Sequence, residues 1–325
     1  MINSAPERGE VRSCPLCQAL PSDESVRVRD PSNPSSPPFS FVHCEGCGCF
    51  WLKDPLPQAS IANAYGDDYY SFEASPSRLN RIIPLFHSVQ GRLVEARYAT
   101  RNALTKKIGR RLQGYPLDTP VGKVLDVGCG AGSRLCNLSR AGWATYGVDV
   151  DWRAISAAQR LKHSVVQASG DGLPFADQIF DSVVASHSIE HTYDPRTMTR
   201  EIFRVLKVGG EAVISTPNSA SWTRWLFGAS WRAWDPPRHL LIFSKPGLLK
   251  LLAETGFEVR RVRGSSTGGY LVDSLVSVNT WRRLERLSRI FAALHMVAYV
   301  VARQVANVSN WLPGPDEFEV VAVKP

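Results

Sequence analysis

The chain has 325 residues, a formal net charge of +8, 44% hydrophobic residues and 21% charged residues. That balance excludes a disordered polymer and leaves enough apolar surface for one large core with a smaller accessory unit beside it. The first twenty residues, MINSAPERGEVRSCPLCQAL, hold no apolar run of the kind a secretory signal needs, so a cytoplasmic protein is expected.

Four of the seven cysteines come first, as Cys14-Pro-Leu-Cys17 and Cys44-Glu-Gly-Cys47. The Pro/Ser-rich stretch DPSNPSSPPFSF lies between the pairs and cannot build a packed core by itself. Two C-x2-C turns supply four thiolates, the donor set of a closed tetrahedral zinc site, and a closed site is structural rather than catalytic. Cys49 is read as a packed residue, while Cys129 and Cys136 have no metal partner in sequence.

After Asp54-Pro55 follows a tyrosine-rich stretch, AYGDDYYSFE. From Leu79 to Leu112 apolar residues recur at helical spacing among many arginines, which predicts a helical linker. The excess positive charge gathers at Lys106, Lys107, Arg110 and Arg111, at Arg260, Arg261 and Arg263, and at Arg282, Arg283, Arg286 and Arg289. Such runs read as solvated faces, with an anionic substrate, a membrane surface or nucleic acid as the functional alternatives. The apolar run from Ile290 to Ala302 falls short of the roughly 20 residues a spanning helix needs, which disfavours integral membrane association.

From Lys123 onward short β-branched runs alternate with helical stretches, the pattern of a mostly parallel sheet. VLDVG, ATYGVDV, SVVQAS, FDSVVAS and EAVIST predict five strands, and FEVRRVR and FEVVAV two more. The expected organisation is an α/β fold: a zinc-binding ribbon over 1–58, a helical linker over 59–115 and a Rossmann-like unit over 116–325 with an insertion at 264–315.

In VLDVGCGAG the first strand breaks into glycines and then opens a helix, so backbone can approach a ligand near unpaired N–H donors. The order Asp126-x-Gly128-x-Gly130-x-Gly132 resembles motif I of the class I S-adenosylmethionine (SAM)-dependent methyltransferases. The resemblance implies a seven-stranded sheet, Gly128 and Gly130 against SAM with Cys129 on the same loop, and Asp126 supporting the cofactor's amino group. Asp149, at the end of the second strand, can accept from both ribose hydroxyls, with Val150 beside it and Asp151 capping the next helix. The chain reads ASGDGLPF where the family often has G-D-A-E-x-L-P-F, so Ser169 stands at the usual acid. Asp171, with the Gly170 backbone, is taken for the adenine. FDSVVASHSIEHTYDP and RVLKVGG match later family blocks, with Val208 in place of the usual proline and His187 near the cofactor. The ribbon, the D-P-L-P segment, Y-G-D-D-Y-Y and WRAWDPPRHLLIFS resemble bacterial methyltransferases that include deoxysugar C-methyltransferases.

Three groups are candidates for the base that removes an acceptor proton: His191 after the fourth strand, His239 in DPPRHL, and Tyr69 or Tyr70 from the N-terminal side. A hard-cation site built from His187, Glu190 and His191 is disfavoured for want of carboxylates. The leading expectation is methylation of a small molecule, plausibly a sugar or natural-product intermediate, by a chain that could form a homodimer. An RNA or protein methyltransferase and a non-catalytic SAM-binding protein are the alternatives. Nucleic acid is disfavoured because no aromatic-basic recognition motif is present.

Overall fold

A computed structural model of the protein describes residues 13–33, 35–57, 60–61, 64–65, 115–116, 119–265, 270, 274 and 314–325. The expected linker helices, Tyr69, Tyr70, nearly all of the 264–315 insertion with its apolar run, and two of the three basic clusters lie outside those residues. Among the described residues no helix is long and apolar enough to cross a membrane.

All seven expected strands form one sheet. They are β4 (Lys123–Val127), β5 (Ala144–Asp149), β6 (Ser164–Gln167), β7 (Phe180–Ser186), β8 (Leu206–Pro217), β10 (Glu258–Ser265) and β11 (Glu317–Val323), in the order β10-β11-β8-β7-β4-β5-β6. β4 to β8 run parallel, while β11 lies antiparallel to both of its neighbours. Val124 to Val127 are buried, as a strand covered on both faces requires.

Helices α1 (Ser133–Arg140), α2 (Trp152–Arg160) and α3 (Pro195–Val205) return the chain between parallel strands. Asp151 caps α2 by accepting from the Arg153 N–H, as expected, and Asp194 caps α3 ahead of Pro195. Helix α5 (Lys245–Thr255) starts on Ser244 and ends on Gly256 in the left-handed conformation. A short α4 (Trp222–Phe227) follows β8.

The N-terminal strands β1 (Ser25–Val28), β2 (Phe39–His43) and β3 (Phe50–Leu52) make a second, antiparallel sheet. Its fourth strand is β9 (Leu241–Ile242), from far along the chain. The ribbon does not lack a core, as its own sequence implied, because the rest of the chain completes one. Phe41 and Phe50 pack on Trp234 with ring centroids 4.9 and 5.2 Å apart, and Trp231, Leu52 and Ile242 close the cluster. The cysteine turns join the main core instead, where Cys14, Cys44 and Leu16 pack with residues of the large sheet and of α5.

Candidate active site

The glycine turn after β4 is held by the strand beside it. The backbone N–H groups of Gly128 and Cys129 both donate to the Val148 carbonyl, at 2.8 and 3.0 Å. Gly128 has φ +77°, and a Cβ there would stand 2.8 Å from that of Ser188, so no other residue fits beneath the segment after β7. The Cys129 side chain points away from the turn into a cluster with Leu135 and Ile155, and burial pushes its thiol pKa up.

Asp149 ends β5 with its carboxylate at this turn. Oδ2 accepts from the Gly130 N–H at 2.9 Å and Oδ1 from the Asp151 N–H at 3.0 Å, which leaves lone pairs for further donors. Burial raises its pKa, and the two backbone donors oppose that rise. Asp126 is fully buried. Its Oδ1 accepts from Arg134 at 2.9 Å, whereas Oδ2 has no hydrogen-bond partner. The Ser188 hydroxyl, across the turn, is likewise buried without a partner. Asp171 sits in the turn after β6 and is half-buried, with Gly170 packed against Val127 and Met198. Val150 is exposed beside Asp149.

The segment after β7 also holds an ionic group of two buried carboxylates and a half-buried imidazole. His187, at φ +54°, donates from Nδ1 to Glu190 Oε1 at 3.2 Å, and its Nε2 stands 3.6 Å from Glu317 Oε2 on β11. Burial opposes charge on His187, but the two carboxylates outweigh it and hold the pKa well above the ordinary histidine value. Glu190, whose burial alone would raise its pKa, is held down to about 2 chiefly by His187. Its second oxygen accepts from the Thr216 hydroxyl at 3.1 Å.

The structure brings His191 and His239 together, although 48 positions separate them. Their rings meet edge to face with centroids 4.7 Å apart. Each donates its Nδ1–H to a backbone carbonyl, His191 to Arg238 at 3.0 Å and His239 to Ala233 at 2.7 Å. That fixes both tautomers with Nε2 as the acceptor. Burial, with His191 nearby, lowers the His239 pKa to about 4, so the ring is neutral at pH 7. The Leu240 N–H donates to the Glu190 carbonyl at 2.8 Å and zips the two segments together. Tyr65, in the same AYGDDYY stretch, has its hydroxyl 3.2 Å from His191 Nδ1, while Tyr69 and Tyr70 lie outside the described residues.

The four paired cysteines converge. Cys14 and Cys47 sulfurs are 3.6 Å apart, those of Cys17 and Cys44 are 3.3 Å apart, and all four lie within 4.8 Å of one another. The Cys47 thiol and burial push the Cys14 pKa up, and burial with Cys17 does the same to Cys44, a clustering that a bound cation would relieve. Cys49 lies beside Cys47, its thiol turned to the Cys47 carbonyl at 4.0 Å, and packs on α5, accepting from the Ser244 N–H and filling the space beside Gly247.

A family profile described as "Methyltransferase domain" matches residues 96–262. An uncharacterised methyltransferase of Mycobacterium sp. (strain KMS) is 41% identical over 100 residues, 30% of this chain and 40% of that protein. The O-methyltransferase resE of Aspergillus sclerotiorum is 33% identical over 175 residues, 48% of this chain and 61% of its own length. The chain therefore spans less than two thirds of the curated relatives it matches. A SAM-dependent methyltransferase structure from Archaeoglobus fulgidus aligns at 23% identity with a TM-score of 0.46, over 71% of this chain and 98% of that one.

Proposed function

The chain belongs to the class I SAM-dependent methyltransferase family, and we propose from that premise that it transfers the methyl group of SAM to a small-molecule acceptor held over the His191–His239 pair. One juxtaposition carries this reading. The glycine turn, whose Gly130 N–H donates to Asp149, lies against Ser188, and three residues further along the same segment His191 meets the second imidazole.

The residues present fit the cofactor. Asp149 has lone pairs left for the ribose hydroxyls, and Gly128, Cys129, Gly130 and Val150 offer backbone at the turn. The unpartnered Oδ2 of Asp126 is a buried acceptor suited to an ammonium group, and Asp171 with Gly170 is assigned to the adenine. When bound, SAM supplies an electrophilic methyl on a sulfonium. The chain's own task is to hold an acceptor in line and keep water away. We assign His191 and His239 to acceptor activation, because their Nε2 lone pairs can take up an acceptor proton. His187 serves through Glu190 and Glu317, which occupy both of its nitrogens.

We further assign zinc to Cys14, Cys17, Cys44 and Cys47 as a structural ion, in keeping with four clustered sulfurs and no open position. The ribbon over 1–58, the linker over 59–115 and the transferase unit over 116–325 are the organisation we adopt. A sugar or natural-product acceptor is the favoured substrate class.

Calorimetry with SAM and S-adenosylhomocysteine on wild type and Asp149→Ala tests the reading. Micromolar binding that collapses in the variant is expected. Absence of binding by the folded wild type overturns it.

A further inference from the structure

We infer that Glu190, His191 and His239 form a binding site for one divalent transition-metal ion, distinct from the four-sulfur cluster. This deepens the reading of the pocket as the acceptor site and rests on it.

A carboxylate oxygen of Glu190 and one ring nitrogen of each histidine lie within 4.8 Å of one another. For three atoms no more than 4.8 Å from one another, some point lies within about 2.8 Å of all of them. Ligation to zinc at about 2.0–2.1 Å would thus need the triangle to contract by less than 1 Å per atom.

The partners of these three side chains are those that metal ligands have. A ligating histidine nearly always donates its other ring N–H to a carbonyl or carboxylate, which fixes the ring and aims the remaining lone pair. Both histidines do this, His191 onto the Arg238 carbonyl and His239 onto the Ala233 carbonyl. Each Nε2 is left without a hydrogen-bond partner among the described residues. Glu190 is held in the same way, one oxygen by the His187 Nδ1–H and the other by the Thr216 hydroxyl. A carboxylate has about four lone-pair positions, so each oxygen keeps capacity for an ion.

The donor set also corrects the cation reading of the sequence. His187 is excluded as a ligand, because both its nitrogens face carboxylates and hold protons. His239 takes its place. Two imidazoles and one carboxylate suit zinc or a first-row ion of the manganese, iron and cobalt class rather than magnesium or calcium, which favour all-oxygen sites. Three protein ligands leave coordination positions open, as a catalytic rather than a structural site requires. With the ion bound, both Nε2 lone pairs are committed to it, so the activation assigned to the imidazoles would be exerted through the ion, which makes an acceptor hydroxyl placed there more acidic at neutral pH.

The test is a Co²⁺ titration of the full, untagged chain after chelation, followed by absorption. Thiolate sites give intense charge-transfer bands, whereas a site of nitrogen and oxygen ligands gives only weak visible bands. Wild type should take up one ion of each kind. Glu190→Gln and His239→Ala should each lose the weak-band ion and keep the thiolate ion, which also reports that the ribbon remains folded. Thr216→Val, which removes only a partner of Glu190, should weaken that ion about tenfold. Saturation of the wild type with thiolate bands alone overturns the inference, as do weak bands undiminished in both ligand variants. SAM calorimetry on the same samples separates the two readings: SAM binding without the second ion sinks only the metal site, and the second ion without SAM binding sinks the methyltransferase reading on which its role depends.

Discussion

Arg238, with no exposed surface, donates from its guanidinium to the carboxylate of Asp30 at 2.8 Å, a contact that spans 208 positions of sequence. The same guanidinium holds Asp235 through both of its oxygens, and the Arg238 backbone carbonyl receives the Nδ1–H of His191. The ribbon is thereby tied by one side chain to the segment that orients a candidate catalytic imidazole. Asp30→Ala should lower stability by about 3 kcal/mol, the lower end for breaking a buried ion pair, because Asp235 still compensates the charge. Arg238→Ala, which strands two carboxylates, should do more damage. Denaturant unfolding of both variants checks the order.

His191→Ala and His239→Ala should each reduce turnover by about 100-fold or more while leaving SAM affinity near that of wild type. Release of S-adenosylhomocysteine against a panel of sugar and natural-product acceptors is the assay. Wild-type rates in both variants would remove the pair from the chemistry.

Gly128→Ala should abolish cofactor binding and cost about 1–2 kcal/mol of stability from left-handed backbone alone. The new methyl would also press on the Ser188 Cβ, 2.8 Å away. Thermal unfolding with and without SAM reads both effects.

Cofactor affinity should depend on pH through Asp149, whose pKa burial raises above the ordinary carboxylate value. Ribose hydroxyls favour the ionised form, so the bound-state pKa lies below that of the free protein. Affinity is then complete above the free-state pKa and declines as pH falls through it, starting at a higher pH than an ordinary aspartate would give. Calorimetry from pH 8 downward through the acid range in which the fold persists should show this decline in wild type, and Asp149→Asn should be weak and flat.

On the zinc assignment to the four cysteines, Cys44→Ser should abolish metal binding there and lower the melting temperature, with no further loss on adding a chelator. The reason lies in burial: Cys14 and Cys44 are wholly enclosed in the main core, so an unfilled thiol cluster would open the core itself. Metal analysis and differential scanning calorimetry on the same preparation check it.

The large sheet was legible because each strand carries its own local signal, a β-branched run bounded by glycine or a cap, and the glycine turn and the cysteine pairs are equally local. What stayed hidden depends on residues distant in sequence. Nothing near His191 announces His239, and nothing near Asp30 announces Arg238. Nothing in AYGDDYY marks Tyr65 as a ring that meets His191. Strand β9 is two residues long, too short for any periodicity, and only its pairing with β3 makes it a strand.

That pairing has a temporal side. On a ribosome adding roughly 5–20 residues per second, Phe50 and Trp51 are made about 10–40 s before Leu241 and Ile242, their partners in the sheet. Through that interval the newborn ribbon has exposed aromatic residues and an unpaired strand edge. Early capture of a metal by the cysteine turns would hold the segment compact until its last strand is made.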